Sequence, residues 1–397
     1  MIDALIYSGV RSPRARAKAN GALHAITPQE LLTQLYRALE ARSGLDPGTV
    51  DEVILGCVTQ HGEQAANIAR TSTLHAGWPE GVPGITVNRY CSSGIDAIAL
   101  GALKISAGAA RCVVAGGVEM MSRVPMLSDR ARVFHDPAFA MQCRVLLMGS
   151  GADLVASRAG ITREEVDAVA LASQQRAAAA RDAGYFRSSI VPISTPAGTA
   201  LEDECIRPET TSESLAALEP AFAGIGAGGV DACQLAASPG LDTIHHIHTA
   251  GNSPAMADAA CVLLLGDAHA APGVAPRARV AASVSVASDP LEVLTGCVEA
   301  TAALLDRAGL AAADIDLFEI HEAFAATSIV AERRFAIEGR HNVNGGVIAL
   351  GHPMGATGAI MTLGLLDELE RRGLRRGIVA TAGAAGSGSA LLIDREF

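Results

Sequence analysis

Residues 38–58 read ALEARSGLDPGTVDEVILGCV, and residues 304–324 read LLDRAGLAAADIDLFEIHEAF. Each segment passes from a helical pattern through a Gly-Leu turn and an acidic helix start into a short apolar strand pattern. The same order of elements near both ends of one chain indicates an internal duplication, which decides the fold before any motif is considered. The sequence therefore predicts two related α/β lobes.

The ends of the two halves also match, because VVAGGVEMMS at residues 113–122 corresponds to VATAGAAGSGSA at residues 379–390. In both halves short apolar runs alternate with helical stretches, a rhythm typical of strand–helix–strand units in a mostly parallel sheet. Two facing lobes bring corresponding strand ends and helix starts to one central cleft. We therefore expect catalytic groups from both halves.

The stretch between the two halves contains two helical patterns separated by connections rich in Pro and Gly, which predicts an inserted cap. We expect an N-terminal lobe at residues 1–120, a cap at 121–241 and a C-terminal lobe at 271–397. Residues 242–270 are expected to return to the N-terminal lobe. A chain of 397 residues is too long for one ordinary core, which agrees with several units.

The composition excludes several classes of protein. Hydrophobic residues make up 49% and charged residues 18% of the chain, which suits an α/β enzyme and not a disordered protein. A formal net charge of −11 argues against binding to nucleic acid, which needs clustered Lys and Arg. No segment approaches the roughly 20 apolar residues of a membrane span, and the N-terminus has no basic lead-in. We expect a cytoplasmic protein that binds no membrane.

Eight cysteines are spread singly along the sequence without a C-x-x-C pair, so no disulfide framework is indicated. Cys91 differs from the others, because in TVNRYCSSGIDAIALGALKISAG (residues 86–108) it follows a strand end and directly precedes a helix start. A helix N-terminus favours an anion and so predicts a lowered thiol pKa. We interpret Cys91 as a nucleophile; a structural cysteine is the alternative from this segment alone.

A histidine stands at a predicted elbow in NGGVIALGHPMGATG, residues 344–358. We expect a strand that breaks at Gly351-His352-Pro353 before a long helix begins. A histidine held there can accept a proton from a thiol across the cleft, so His352 is the predicted base. The glycines do not form a phosphate-binding loop, because the lysine of that motif is missing.

His321 in DLFEIHEAFAATS follows a predicted strand. HEAFA is not a zinc motif, because Ala325 occupies the place of the second His of H-E-x-x-H. His321 is either a hydrogen-bonded core residue or a donor, directly or through water, to a carbonyl oxygen that gains negative charge. The histidine cluster has no Cys or carboxylate at ligand spacing, so we interpret it as packing at a lobe junction and not as a metal site: His245, His246 and His248.

Together, VNRYCSSG, HEAFA and NGGVIALGHPMGATG resemble the thiolase family, in family order and along nearly the whole chain. The resemblance implies five layers (α-β-α-β-α) of duplicated lobes with an inserted cap, assembled as a homodimer or homotetramer. It implies that Cys91 is acylated and that His352 activates it. It also implies a hole for the thioester oxygen formed by His321 and the backbone N–H of Ala384. Ketoacyl synthases are the nearest alternative, and GHPMGATG with HEAFA favours thiolase.

The sequence departs from this family near its C-terminal end. Thiolases usually have a second catalytic cysteine in a Cys-x-Gly-Gly-Gly-like segment, where it moves the α-proton of the second substrate. Here Ala382 occupies that position, and no cysteine follows Cys297. Losing a general acid/base costs about 10²–10⁴ in rate. Acylation of Cys91 does not need this thiol, whereas carbon–carbon bond chemistry needs another proton carrier such as His352 or water.

The resemblance also implies that coenzyme A lies against the cap. LLMGSGAD keeps the family's methionine as Met148, and Arg207 in CIRPETT is a candidate phosphate partner. In HTAGNSPAMADAA, Pro254 occupies the usual Ser or Thr place, which leaves Ser253 as the candidate. The stretch at residues 224–246 is longer than the family norm.

We therefore predict an acyl-CoA C-acyltransferase that cleaves or condenses 3-ketoacyl-CoA through an acyl-Cys91 intermediate. Coenzyme A and acyl-CoA are expected as substrates, with no permanently bound cofactor or metal, and a β-oxidation multienzyme complex as a further partner. One alternative, suggested by Ala382, is an acyltransferase or thioester hydrolase without Claisen activity. The other is a non-catalytic acyl-CoA-binding subunit of a larger assembly.

Overall fold

The computed structural model describes residues 3–397 of the chain. Its strands are β1 (Leu5–Arg11), β2 (Ala15–Arg16), β3 (Glu52–Gly56), β4 (Gly84–Val87), β5 (Cys112–Met120), β6 (Ile193–Thr195), β7 (Gly198–Ala200), β8 (Ala257–Gly266), β9 (Ala278–Ala287), β10 (Leu317–Ile320), β11 (Arg376–Ala382) and β12 (Ser387–Asp394). Its helices are α1 (Pro28–Ser43), α2 (Ile68–His75), α3 (Ser93–Ser106), α4 (Arg132–His135), α5 (Pro137–Cys143), α6 (Met148–Ala159), α7 (Arg163–Asp182), α8 (Ser212–Ala216), α9 (Ala223–Ile225), α10 (Asp231–Ala236), α11 (Gly296–Ala308), α12 (Ala325–Phe335), α13 (Val347–Leu350) and α14 (Met354–Arg372).

Ten strands form one sheet in the order β10-β11-β12-β9-β1-β8-β5-β3-β4, with β2 beside β8. The sheet is mixed and not mostly parallel as expected. The strands β1 and β8 of the N-terminal half and β9 and β12 of the C-terminal half run antiparallel to their neighbours. Parallel pairing is found between β3 and its two neighbours and between β10 and β11. The two half-sheets join along a short seam between β1 and β9, where Leu5 pairs with Arg279 and Ile6 with Ala278.

The duplication predicted from the sequence is visible in the local structure. Gly44 caps the C-terminus of α1 with φ of 65°, and Gly309 caps that of α11 with φ of 64°. Glycine adopts this left-handed conformation without strain, so the Gly-Leu turn ends both helices in the same way. A short 3₁₀ turn and a strand follow in each half, β3 in one and β10 in the other.

The middle layer consists of α3 and α14, which pack against each other and against strands of both half-sheets. The axes of the two helices approach closely because Gly94 on α3 faces Gly358 on α14. A Cβ on Gly94 would lie 2.8 Å from the backbone nitrogen of Ala359. Apolar residues of α1 and α2 cover the outer face of one half-sheet, and those of α11 and α12 cover the other. The five layers are therefore helix, half-sheet, helix, half-sheet, helix, as predicted.

Residues 121–241 contain α4 to α10 and the β6–β7 hairpin, and α7 packs against α12 and α13 of the C-terminal half. β8 of the returning segment pairs with β1 and β5 in the N-terminal half. The boundaries between the lobes and the cap stay a prediction. Within residues 3–397, no helix has both the length and the apolar character that a bilayer crossing requires.

Candidate active site

Cys91 lies on the turn between β4 and α3, whose first residue is Ser93. The turn is sharp because Tyr90 adopts a left-handed backbone with φ of 50°, which is uncommon for a residue other than glycine. The Tyr90 N–H donates to Asn88 Oδ1 at 2.8 Å, which holds this conformation. The Cys91 side chain is buried at the N-terminal end of α3.

His352 comes from the other half of the chain. It follows α13, a helix at the place where the sequence predicts a strand. The apolar run VIAL is too short for its pattern to distinguish a helix from a strand. Gly351 has φ of 94°, and a Cβ there would lie 2.9 Å from Cys205 Sγ, so the elbow requires glycine. The His352 N–H donates to the carbonyl oxygen of Ala255 at 2.8 Å, which fixes the backbone next to the ring.

The thiol and the imidazole are in direct contact. Cys91 Sγ lies 3.1 Å from His352 Nε2, and His352 Nδ1 lies 2.7 Å from Thr357 Oγ1. A neutral imidazole that donates its Nδ1–H to the threonine hydroxyl presents a lone pair at Nε2, which can accept the S–H. Thr357 lies in the first turn of α14, so this helix orients the ring toward Cys91.

Burial sets the protonation of this pair, and the predicted lowering of the thiol pKa is wrong. Burial, with a smaller effect from the charge of Glu119, raises the pKa of Cys91 to about 12. Burial, followed by the nearby His321 and Arg14, lowers the pKa of His352 well below its ordinary value. A helix N-terminus contributes only about 0.3–1 kcal/mol to an anion, less than the roughly 1.4 kcal/mol of one pKa unit. The resting pair is therefore a neutral thiol and a neutral imidazole.

His321 lies beside this pair. It follows β10 and is fully buried, and its ring centroid is 4.4 Å from that of His352. Its Nδ1 lies 3.1 Å from the carbonyl oxygen of Ala382, whereas its Nε2 has no hydrogen-bond partner among residues 3–397. Burial lowers the pKa of His321 to about 4, so its ring is neutral at physiological pH.

The C-terminal turn approaches the same cleft. Ala382 ends β11 and is fully buried, and Ala384 begins a 3₁₀ turn that leads into β12. A Cβ added to Gly383 would lie 3.0 Å from both the carbonyl oxygen of Arg89 and the Cβ of Tyr90. The turn therefore lies against the loop that carries Cys91, and Ala382 provides only a methyl group there.

Glu119, a carboxylate at the end of the otherwise apolar strand β5, was not predicted from the sequence. It is fully buried and accepts N–H groups from Val58 at 3.0 Å, Thr59 at 3.1 Å and Gly355 at 3.0 Å. Gln64 Nε2 donates to it at 2.8 Å. Because Gly355 lies at the start of α14, Glu119 ties the helix behind His352 to the half that carries Cys91. A single charge ending an apolar strand was the signal available in the sequence.

The predicted coenzyme A contacts lie in the cap and the segment that returns from it. Met148 begins α6 and packs with Phe222 on the cluster around Phe324. Arg207 donates its backbone N–H to a glutamine side chain at 2.7 Å, and its buried Nε has no partner among residues 3–397. Ser253 donates its hydroxyl to the carbonyl oxygen of Thr249 at 2.6 Å, which occupies its proton. Their roles toward coenzyme A stay predictions.

The histidine cluster has acidic partners that the sequence spacing did not reveal. His246 Nδ1 lies 2.8 Å from Asp153 Oδ2, and its Nε2 lies 3.0 Å from Asp231 Oδ2. His248 Nδ1 lies 2.8 Å from Asp153 Oδ1. Asp153 is fully buried in α6, and Asp231 begins α10. These contacts tie α6 and α10 to the segment that returns to the N-terminal half.

Comparison with known proteins bears on the same features. Residues 4–238 match the family described as "Thiolase, N-terminal domain", and residues 274–395 match "Thiolase, C-terminal domain". A 3-ketoacyl-CoA thiolase of Bacillus subtilis is 39% identical and is covered over 98% of both chains. A 3-oxoadipyl-CoA/3-oxo-5,6-dehydrosuberyl-CoA thiolase of Escherichia coli is 36% identical over 100% of both chains. The crystal structure of an acetyl-CoA acetyltransferase of Bacillus anthracis superposes with a TM-score of 0.86, at 36% identity and 99% coverage of both chains. The resemblance predicted from the motifs and the predicted fold class are thereby confirmed, and the chain belongs to the thiolase family of acyltransferases.

Proposed function

We propose that this protein transfers acyl groups between coenzyme A thioesters through an acyl-Cys91 intermediate, in thiolytic cleavage or Claisen condensation of 3-ketoacyl-CoA. The observation that carries the proposal is the 3.1 Å contact between Cys91 Sγ and His352 Nε2 in a chain of the thiolase family. A nucleophile within hydrogen-bond distance of a base, with that base held by a third group, is the arrangement that covalent acyl transfer requires.

In the first half-reaction, His352 Nε2 accepts the thiol proton as Cys91 Sγ attacks the thioester carbonyl carbon. Because both groups rest in their neutral forms, the thiolate exists only as the attack proceeds. Thr357 accepts the Nδ1–H and so stabilises the imidazolium that forms. His352 then gives the proton to the sulfur of the departing coenzyme A.

The carbonyl oxygen of the thioester gains negative charge during this attack and needs hydrogen-bond donors. The backbone N–H of Ala384 is one proposed donor, since this contact needs no side chain. His321 contributes through a bridging water: its Nδ1–H is taken by Ala382, so its Nε2 accepts one water proton while the other points at the oxygen. The coenzyme A chain lies against Met148, Arg207 and Ser253 in this proposal.

An acyltransferase or hydrolase without Claisen activity is a second candidate, because Ala382 cannot move a proton. A non-catalytic acyl-CoA-binding subunit is not favoured, since the thiol and its base are both present and in contact.

Intact-mass spectrometry after addition of acetyl-CoA tests the proposal directly. We expect a mass increase of one acetyl group on Cys91 and none in the Cys91→Ala variant. Thiolysis of acetoacetyl-CoA, measured in parallel, separates the two candidates, and Ala382→Cys should raise that rate. Absence of acetylation in the unaltered protein would rule out both.

A second copy of the chain belongs to the proposal, as a homodimer or a homotetramer. β4 lies at the edge of the sheet, and an unpaired edge strand is a template for another chain. Ile85 on this strand is 38% exposed and Leu103 on α3 is 59% exposed, and both are large apolar side chains. The cytoplasmic location expected from the sequence and the β-oxidation partners expected from the resemblance also belong to this proposal.

A further inference from the structure

We propose that His321 is the base that takes the α-proton of the second thioester substrate, with Nε2 as the accepting atom. The inference rests on the proposed function, because the second substrate meets only an acylated Cys91. Carbon–carbon bond formation next to a thioester requires a base at the α-carbon, and Ala382 cannot supply one.

The hydrogen bonds of His321 fix which nitrogen is free. Its Nδ1 faces the carbonyl oxygen of Ala382 at 3.1 Å, and a carbonyl oxygen can only accept, so the proton of the neutral ring is on Nδ1. Nε2 therefore carries a lone pair. This atom is buried without a hydrogen-bond partner among residues 3–397, an exception among buried polar atoms.

The position of the ring agrees with this role. His321 touches the backbone of Ala382 on one side, and its centroid is 4.4 Å from that of His352 on the other. Burial lowers the pKa of His321 to about 4, so the ring is neutral at physiological pH and the Nε2 lone pair is available. The enolate that forms as the α-proton leaves is a nearby negative charge, which stabilises the imidazolium.

The proton and electrons of this step balance. The α-C–H bond breaks, its proton moves to His321 Nε2, and its electron pair forms the new bond to the carbonyl carbon of acyl-Cys91. The bond between this carbon and Cys91 Sγ then breaks, with its pair remaining on sulfur. The proton passes from His321 through His352 Nε2 to Cys91, which restores all three groups without a further reactant.

His352 is the competing base, and its contacts distinguish it. Its Nε2 lies at the sulfur of Cys91, where a proton has to be delivered when the acyl group leaves. Its Nδ1 is held by Thr357. A ring committed to the sulfur and to Thr357 is suited to relay a proton, whereas the free Nε2 of His321 is suited to accept one.

The test uses His321→Asn, because an asparagine amide can still hold the bridging water but cannot accept the α-proton. Two partial reactions are measured in the full-length protein: acetylation of Cys91 by acetyl-CoA, and deuterium uptake into the acetyl group of acetyl-CoA in D₂O. We expect α-deuterium uptake to fall by about 10²–10⁴-fold, as for loss of a general base, and by a clearly larger factor than acetylation, for which His321 holds only the bridging water. His269→Asn, at an exposed position, is the matched control and should change neither.

Restoring a thiol supplies the second arm. His321→Asn combined with Ala382→Cys should recover α-deuterium uptake, because the new thiol can accept the α-proton. If the His321→Asn variant does not fold, His321→Gln takes its place. Uptake that persists in His321→Asn overturns the inference in favour of His352 or water. Acetylation without uptake in the unaltered protein also overturns it, while leaving acyl transfer by Cys91 intact. Failure of acetylation itself would instead overturn the proposed function.

Discussion

Burial and helix position act on the Cys91 thiol in opposite directions. The start of α3 favours an anion, but the side chain is only 3% exposed and burial dominates its pKa. His352 is shifted toward its neutral form by the same cause. The chemistry of this pair therefore depends on proton transfer during attack and not on a thiolate formed beforehand.

The pH dependence of Cys91 alkylation tests this conclusion. Because its pKa is raised to about 12, the thiolate fraction increases throughout the range from pH 7 to pH 9. We expect the rate of reaction with iodoacetamide, resolved by peptide mass spectrometry, to rise across this range without a plateau. Cys143, which is exposed, provides an internal reference in the same digest. A plateau below pH 7 would indicate a preformed ion pair with His352 and contradict the conclusion.

Thr357→Val removes the group that holds His352 Nδ1 while keeping the side-chain volume. The loss of one hydrogen bond of about 1 kcal/mol should slow acetylation of Cys91 about five- to tenfold. Thr357→Ser keeps a hydroxyl and should stay within about twofold of the unaltered rate on the same scale. Rapid-quench mass spectrometry of the acetylated protein measures both, and equal rates in the valine and serine variants would exclude an orienting role.

The turns around Cys91 and His352 could be predicted from the sequence, because a helix start and a Gly-His-Pro elbow are local patterns. Glu119 could not be assigned, since its partners become neighbours only in the folded chain. Thr357 lies only five residues after His352, but no pattern in the sequence distinguishes it as the partner of the ring. The raised pKa of Cys91 could not be predicted either, because burial is a property of tertiary packing.

At the level of elements, one histidine links α10, in the segment that follows α9, to α6. His246 bridges Asp153 on α6 and Asp231 on α10, while His248 shares Asp153. Both ring nitrogens face carboxylate oxygens, so both contacts are hydrogen bonds only when the ring is protonated. Sequence spacing could not reveal this link, because Asp153 precedes His246 by 93 residues.

The link predicts that α10 is held less firmly as pH rises. Burial opposes protonation of His246, but hydrogen bonds to Asp153 and Asp231 outweigh it and raise its pKa. A raised pKa stabilises the folded segment fully below about pH 6.5, the unfolded value, and this contribution is lost as pH rises through the folded value. Hydrogen–deuterium exchange of residues 223–241, corrected for intrinsic rates, should be faster at pH 8 than at pH 6.

His246→Asn should abolish that difference, while peptides from α1 should exchange equally at both pH values in both proteins. A pH effect of unchanged size in the variant would assign it to another group.

At the level of the whole molecule, the duplicated halves meet along the short β1–β9 seam and across α3 and α14. This architecture could be predicted from the repeated segments, because the order of elements is encoded locally. The mixed direction of the strands could not, since an apolar run carries no sign of its direction in a sheet. β4 forms one outer edge of the sheet, and a second copy of the chain is proposed to bind at this edge.

Leu103→Glu tests that edge. A charge at this exposed apolar position should weaken association and give a monomer of 40.6 kDa in light scattering, with the unaltered chain at twice this mass or more. Leu201→Glu, at a position 55% exposed in the cap, is the control and should not change the mass. A monomeric unaltered chain, or an unchanged mass for Leu103→Glu, would refute this interface.

The contact between Cys91 and His352 joins residues that are 261 positions apart. At a ribosomal speed of about 5–20 residues per second, the imidazole is made roughly 13–50 s after the thiol. During this interval the nascent chain contains Cys91 but neither His352 nor the elbow that holds its imidazole. Acyl transfer that uses His352 as its base therefore becomes available only when the last helix and strands have docked.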